Sequence, residues 1–220
     1  MKGKIRGVIL VFHGLNHAGE KRFPDVSELE FAAHGGLCVF PYYGPWSWMN
    51  AGSVILVNEI IRRVYGEYKL ANDIPLIITG GSMGGHAALN FALHSKKTPA
   101  AVACNCPVTD PKFHRTERPD LPRTFLLAYG MEGRPIDEVF DENSPLVQAK
   151  NMPRTPYLIV HGTNDKSVNK AAHSDKFVRT MREEGHDIEY IEAEGMEHCT
   201  FTDFAVYRKY MDFVLRFISA

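Results

Sequence analysis

Neither sign of charge is in excess in this sequence. Its 220 residues include 25 basic and 26 acidic side chains, which gives a formal net charge of −1 at pH 7. Proteins that bind nucleic acid or anionic membrane surfaces usually carry a clear basic excess on one face. The charge balance therefore argues against nucleic acid and membranes as partners and favours a small-molecule substrate.

Long apolar runs are also missing. No stretch approaches the roughly 20 apolar residues that cross a bilayer. The apolar stretch that ends at His13 is too short for a signal peptide and lacks a small-residue cleavage site. We therefore expect a cytoplasmic protein. A length of 220 residues with 45% hydrophobic side chains suits a single domain, residues 1–220, with a sizeable core.

Cysteine is scarce. Four cysteines in the whole chain do not make a disulfide framework, and the spacing of Cys104 and Cys106 is wrong for a zinc knuckle. Cys38 and Cys104 lie in strand-like runs, so packing in the core is the expected role of the cysteines. No partner at metal-ligand spacing accompanies His17, His86, His173 or His186. We therefore expect neither a metal site nor a cofactor.

The sequence does contain a regular alternation of strand and helix patterns. Short apolar segments predict six strands, of which the last alternates with a period of two, and a period of 3.6 predicts helices between them. The predicted strands are 7–12, 37–41, 74–79, 100–105, 157–161 and 188–193, and the predicted helices are 25–34, 53–68, 86–94, 174–184 and 202–218. This order predicts an α/β fold with a doubly wound, mostly parallel sheet of about six strands.

One long segment interrupts the alternation. Residues 110–151 are rich in proline and charge and separate the fourth and fifth predicted strands. An insertion of this length is usually functional or locally ordered, and 124–130 and 144–148 are typical of short helices. We expect the insertion to form a lid over the active site. Phe125, Leu126 and Tyr129 would then line an acyl pocket, or would pack the lid onto its own domain.

The most informative motif surrounds Ser82. Gly80, Ser82 and Gly84 form a G-x-S-x-G pattern between an apolar strand and an alanine-rich helix. This pattern is typical of a nucleophile elbow, in which the glycines allow a strained turn that exposes the serine. The same turn would aim the backbone N–H of Met83 at the position where negative charge develops in acyl transfer.

A serine nucleophile needs a base, and the base needs an orienting acid. Asp165 lies in the loop after the fifth predicted strand, and His198 follows the sixth. The chain order Ser82, Asp165, His198 is that of α/β-hydrolases. Asp110, after the fourth strand, is the alternative acid. If His198 is the base, activity should fall as it is protonated at about pH 6 to 7.

Together these segments resemble the α/β-hydrolase superfamily, and within it the branch of dienelactone-hydrolase-like and prolyl-oligopeptidase-like serine enzymes. The likeness rests on residues 11–14, 80–85, 144–146, 161–165 and 195–198 and covers nearly the whole chain. It implies that Leu15, after a His-Gly pair, supplies a second oxyanion N–H beside Met83. Dienelactone hydrolases have a cysteine where this chain has Ser82, which favours ordinary ester chemistry. Cys199, directly after the expected base, is a departure to which the resemblance assigns no role.

An aromatic cluster follows the second predicted strand at the sheet edge where open α/β sheets bind ligands. Tyr42, Tyr43, Trp46 and Trp48 belong to it, and the two tryptophans are the only ones in the chain. Such residues stack against sugars or aromatic groups, and a tyrosine hydroxyl there adds an oxyanion donor. The alternative is a loop packed beneath the insertion.

The fold and a serine triad serve esters, thioesters, amides and peptides alike. Our first hypothesis is a serine hydrolase that cleaves carboxylic esters through an acyl-enzyme, with an acetyl or feruloyl ester of a carbohydrate as a subsidiary hypothesis. The alternatives are a prolyl-oligopeptidase-like peptidase and a catalytically silent binding protein of the same fold. The intact triad and glycines argue against the silent protein, and the sequence leaves the oligomeric state open.

Overall fold

The computed structural model describes residues 4–16, 21, 23–130 and 133–218. Their strands are β1 Gly7–Phe12, β2 Gly36–Val39, β3 Leu76–Gly81, β4 Ala101–Asn105, β5 Tyr157–Gly162 and β6 Ile188–Ala193. The sheet order is β2-β1-β3-β4-β5-β6, and every neighbouring pair is parallel. This confirms the predicted fold class. β3 begins two residues later than predicted because Pro75, which has no N–H to donate, precedes it.

Helices connect the strands. They are α1 Val26–Ala33, α2 Ala51–Glu67, α3 Met83–His94, α4 Pro111–His114, α5 Leu121–Tyr129, α6 Ile136–Glu142, α7 Lys176–Glu183 and α8 Phe204–Arg216. The start of α1 has a capping box, in which Asp25 and Glu28 each accept a backbone N–H of the other. α7 follows a π-helical turn at Ala171–Asp175, so it begins two residues later than the sequence pattern predicts.

The strand order places one particular crevice at the carboxyl edge of the sheet. The chain runs from β1 outward to β2 and then returns to the other side of β1 to form β3. Ligands of open α/β sheets bind at the carboxyl ends of the strands where such a reversal occurs. The loop after β1, which begins with His13, and the turn after β3, which contains Ser82, therefore meet at this position.

The core lies on both faces of the sheet. Val8, Leu10 and Ile78 pack on one face, whereas Ile9 and Ile77 pack on the other, as the period of two along a strand requires. All of these side chains are inaccessible to solvent. Burial on both faces explains why β1 and β3 read as continuous apolar runs.

The insertion between β4 and β5 is packed onto the domain and contains α4, α5 and α6. Phe125 and Tyr129 are buried, so they form part of the core, whereas Leu126 is 61% exposed. The predicted helix at 144–148 is wrong. That segment is a turn followed by a 3₁₀ helix at Ala149–Asn151, because the N–H of Leu146 donates to the Thr109 carbonyl (2.9 Å) instead of to a helical acceptor.

Within the described ranges, no helix has both the length and the apolar character needed to cross a membrane.

The first turn of α3 approaches the end of β1 very closely. A Cβ atom on Gly84 would lie 2.3 Å from the carbonyl oxygen of Phe12 and 2.8 Å from that of His13, both of them backbone atoms. Contacts this short do not occur for a real Cβ, so only glycine allows the helix to start here.

We predict that Gly84→Ala destabilises the protein by more than about 2 kcal/mol, because the added methyl group collides with backbone that cannot move aside. The matched control is Gly66→Ala near the end of α2, where nothing lies within 4 Å of the added atom. The control should stabilise the protein by about 0.5–1 kcal/mol. Urea unfolding of both variants measures the difference, and equal free energies of unfolding would contradict the close approach.

Candidate active site

Ser82 occupies the sharp turn between β3 and α3. Its backbone has φ 57° and ψ −125°, a strained conformation for a residue with a side chain. The turn brings backbone so close that a Cβ on Gly80 would lie 2.2 Å from the Gly84 carbonyl oxygen. The N–H of Ser82 donates to the Asn105 carbonyl on β4 (3.0 Å). The neighbouring backbone therefore holds Ser82 in the geometry of a nucleophile elbow.

Ser82 faces an open cleft of about 460 Å³. The cleft brings together the loop after β1, the elbow, the insertion and the loop after β6. Its lining residues are Gly14, Leu15, Asn16, Gly81, Ser82, Arg118, His198 and Cys199. The cleft is therefore built from four separate parts of the chain.

The two residues predicted to supply oxyanion donors both lie close to Ser82. Met83 is the first residue of α3, and the first N–H groups of a helix have no partner inside the helix. Leu15 borders the cleft directly. That these two N–H groups stabilise an oxyanion beside Ser82 stays a prediction, which the positive end of the helix dipole at Met83 favours.

Asp165 accepts hydrogen bonds on both carboxylate oxygens. Oδ1 accepts the backbone N–H groups of Ser167 (2.8 Å) and Val168 (3.0 Å). Oδ2 lies 2.7 Å from Nδ1 of His198 and 3.3 Å from Nε2 of His161. Burial alone would raise the pKa of Asp165, but the hydrogen bonds from the two histidines and the two backbone N–H groups hold it far below its ordinary value. Asp165 is therefore ionised.

The ionised carboxylate fixes the tautomer of His198. A carboxylate only accepts hydrogen bonds, so Nδ1 of His198 carries the proton and Nε2 of the neutral ring has the lone pair. The His198 side chain is 26% exposed and lines the same cleft as Ser82. The predicted base and the predicted nucleophile therefore line one cleft.

Asp110, the alternative acid, has a different role. Its Oδ1 accepts the backbone N–H of Phe113 (2.9 Å) and caps the N-terminus of α4. The side chain that bonds to His198 is that of Asp165.

Two cysteines lie beside the candidate base. Sequence reasoning placed Cys199 there without a role, and it missed Cys106 because the cysteines were expected to pack in the core. Sγ of Cys199 is 3.8 Å from Nε2 of His198, and the N–H of Cys199 donates to Sγ of Cys106 (3.5 Å). Both cysteines have positive φ, 47° for Cys106 and 54° for Cys199. The available signal was their position directly after β4 and directly after the base.

The environment raises the basicity of His198. Burial alone would lower the pKa of His198, but the hydrogen bonds to Asp165 and Cys106 outweigh this effect and raise it to about 9. The thiols share a hydrogen bond that lowers the pKa of Cys106 and raises that of Cys199. A thiolate at Cys106 therefore favours protonation of His198. The titration of His198 is thus expected above the range of pH 6 to 7 that the sequence predicted.

The aromatic cluster divides into two pairs. Tyr42 is 45% exposed, and Trp46 is partly exposed and donates from Nε1 to Asn16, a residue that lines the cleft. These two remain candidates for substrate contact. The corresponding expectation for Tyr43 and Trp48 does not fit their position, since both are buried.

Hydrogen bonds explain the burial of the second pair. The hydroxyl of Tyr43 donates to the His13 carbonyl (2.8 Å). Nε1 of Trp48 donates to Oγ1 of Thr124 (2.9 Å), and its ring stacks on Phe125 with centroids 4.1 Å apart. Trp48 therefore joins the insertion to the domain. This agrees with the alternative in which the aromatic loop packs beneath the insertion.

A second depression of about 720 Å³ adjoins the cleft, because Gly14 borders both. It extends along β2 and α1 to the loops that follow β1 and β2, and its walls are mainly apolar. They include Val11, Phe23, Leu29, Phe40 and Tyr42.

Comparison with known proteins identifies the family of the chain. The model of the prolyl oligopeptidase family matches residues 62–220, more than half of the chain. The chain belongs to the prolyl oligopeptidase family. The sequence matches none of the curated proteins with which it was compared.

Solved structures share the fold of this family member. A puromycin-hydrolysing peptidase of Mycobacterium tuberculosis has a TM-score of 0.80 at 19% identity, over 99% of this chain and 34% of that one. Esterase B of Lactobacillus rhamnosis has a TM-score of 0.75 at 13% identity, over 99% of this chain and 78% of that one. A thermophilic esterase of Thermogutta terrifontis has a TM-score of 0.68 at 20% identity, over 98% of this chain and 83% of that one. The chain thus spans about a third of the length of the similar peptidase.

We predict that Asp165→Asn lowers kcat by about 10⁴-fold, because a neutral amide neither fixes the His198 tautomer nor stabilises the imidazolium. Asp110→Asn is the matched control. Asparagine also caps helices, so this variant should keep nearly full activity. Steady-state rates on an aryl ester decide between the acids, and a larger loss in Asp110→Asn would reverse the assignment.

The pH profile should reflect the raised pKa of His198. The base acts only when Nε2 is unprotonated, so activity should fall as pH decreases through about 9. Cys106→Ser removes one of the contacts that raise this pKa and should move the acidic limb to lower pH. Profiles of kcat/KM for wild type, Cys106→Ser and the distant control Cys38→Ser measure the shift. An unmoved limb in Cys106→Ser would show that Cys106 does not influence the base.

Proposed function

We propose that the protein is a serine hydrolase that cleaves carboxylic esters by two-step acyl transfer. The observation that carries the proposal is the 2.7 Å hydrogen bond between Asp165 and His198 in a cleft that Ser82 also lines. Ser82 attacks the carbonyl while His198 takes the hydroxyl proton, and the N–H groups of Leu15 and Met83 stabilise the oxyanion. Water then releases the acyl group.

The residues around the cleft suggest which substrate groups it would accommodate. The apolar depression beside Gly14 would take the acyl or the leaving group. Exposed Tyr42 and partly exposed Trp46 fit a carbohydrate-linked acetyl or feruloyl ester. The segment 110–151 contributes Arg118 to the cleft, and we propose that it acts as a lid there.

A peptidase is the second candidate. Membership of the prolyl oligopeptidase family and the likeness to a puromycin-hydrolysing peptidase favour it. A catalytically silent binding protein is the third. The close contact of Asp165 with His198 argues against it, because binding alone does not require an oriented imidazole.

The first experiment treats pure protein with a fluorophosphonate probe, which reacts with activated serines. We predict labelling of the wild type, none in Ser82→Ala, and a decrease of several orders of magnitude in His198→Ala. Ser95→Ala, whose hydroxyl donates to the Lys97 carbonyl after α3, is the control and should label fully. Folded wild type that fails to label would overturn the hydrolase proposal.

A matched substrate panel then separates ester from peptide chemistry. Aryl esters, acylated sugars and aminoacyl arylamides are compared by kcat/KM, which reports discrimination between transition states. Higher values for arylamides than for esters of the same acyl group would replace the esterase with a peptidase.

A further inference from the structure

The cleft contains more chemistry than acyl transfer uses. Three potential metal ligands, Sγ of Cys106, a ring nitrogen of His198 and Sγ of Cys199, all lie within 4.8 Å of one another. Ester cleavage by Ser82 requires neither thiol. Two sulfurs and an imidazole are the ligand types that Zn²⁺ selects.

We propose that Cys106, Cys199 and Nε2 of His198 form an inhibitory binding site for a soft divalent cation such as Zn²⁺. The inhibitory effect rests on the proposed hydrolase function, whereas the binding itself does not.

The edge of the site between Cys199 and His198 fits a tetrahedral ion after a small movement. Zn–S bonds of about 2.3 Å and Zn–N bonds of about 2.0–2.1 Å place sulfur and nitrogen ligands roughly 3.5 Å apart. The observed separation of Cys199 Sγ from His198 Nε2 is 3.8 Å. A movement of a few tenths of an ångström therefore completes this edge of the site, and the open cleft leaves the fourth position to water.

The surroundings of the ligands resemble those of a built metal site. Ligating histidines commonly donate their other ring N–H to a carboxylate, which fixes the ring and strengthens the ligand. Asp165 fills this role at 2.7 Å from Nδ1 of His198. The N–H of Cys199 already donates to Sγ of Cys106, and backbone N–H donors to sulfur are usual around metal-bound thiolates.

An ion can reach the site from solvent. Cys199 and His198 line the open cleft, and Cys106 lies buried behind them. A Cβ on Gly81 would lie 3.0 Å from Sγ of Cys199, so the thiol lies against the residue that precedes Ser82. The bound ion would therefore lie at the reaction centre.

Binding of the metal ion exchanges protons for metal–ligand bonds and requires no oxidant. At neutral pH the three ligand atoms together hold two protons, either on the two thiols or on one thiol and the imidazolium. Binding forms two Zn–S bonds and one Zn–N bond and releases both protons to solvent. The Nε2 lone pair then belongs to the metal and no longer accepts the proton of Ser82, so the hydrolase is inhibited until a chelator removes the ion.

A second cluster in the described part of the chain, His114, Glu117 and His173, fits a metal less well. Nδ1 of His173 accepts the backbone N–H groups of Thr109 and Asp110, both at 3.2 Å. Nε2 therefore carries the proton and donates to Glu117 (2.9 Å). A metal at Nε2 would require the tautomer with the proton on Nδ1. That proton would point at the two backbone N–H groups, so no hydrogen bond could form there.

The test measures binding directly. The protein is kept reduced with a trialkylphosphine, stripped with a chelator and titrated with Cd²⁺, whose bonds to thiolate give an ultraviolet charge-transfer band. We expect the band to saturate at one ion per chain. Competition with a chromophoric chelator gives the Zn²⁺ affinity, and the Ser82→Ala variant should keep both signals because it removes no ligand.

Variants then identify the ligands. Cys106→Ser and Cys199→Ser should each weaken Zn²⁺ binding by more than about 100-fold, and Asp165→Asn by about 10–100-fold through the orientation of His198. Cys38→Ser on β2, the matched control, should bind as the wild type does. The Cd²⁺ band of the wild type requires no variant, so a variant that fails to fold leaves the proposal testable.

Two results would overturn the site: no thiolate band in the wild type, or unchanged affinity in folded Cys106→Ser. Zn²⁺ at saturation should also block fluorophosphonate labelling of Ser82, and a chelator should restore it. Full labelling of the Zn²⁺-bound protein would overturn the inhibitory role. A protein that binds Zn²⁺ but never labels would contradict the hydrolase proposal and leave the metal site standing.

Discussion

The arrangement of the site depends on the buried carboxylate of Asp165. A charge removed from water is costly unless hydrogen bonds compensate it, and this carboxylate meets two backbone N–H groups and two imidazoles. His161, one of these, is itself anchored to Ser174 (2.6 Å) in the segment before α7. The carboxylate therefore holds the loop after β5, positions His198 and keeps its Nε2 lone pair on the side of the cleft.

Backbone strain is concentrated around the same cleft. Ser82, Cys106 and Cys199 all have positive φ, which costs about 1–3 kcal/mol per residue when the side chain is not glycine. Hydrogen bonds to the neighbouring strands hold the first two in place, since the N–H of Ser82 reaches Asn105 and that of Cys106 reaches Val160 (2.7 Å). A sheet with many parallel hydrogen bonds can maintain such strain, and strained residues at one edge usually belong to a functional site.

The sequence was informative wherever local pattern determines structure. Short apolar runs predicted the six strands, and Gly80, Ser82 and Gly84 predicted the elbow, because a turn this tight excludes a side chain at either glycine position. It was less informative where distant segments meet. The burial of Trp48 depends on Phe125, 77 positions later in the chain. Cysteine spacing likewise failed to predict the cluster around His198, because parallel strands bring their carboxyl ends together irrespective of distance along the chain.

The lone pair on Nε2 of His198 is the feature over which the two proposed activities compete. A neighbouring thiolate raises the proton affinity of this nitrogen, and stronger bases are also stronger ligands for Zn²⁺. The environment that favours removal of the proton from Ser82 thus also favours capture of a metal ion. Core packing would not require two strained cysteines at the base. In the proposed metal site, their contact with His198 controls when the lone pair is available.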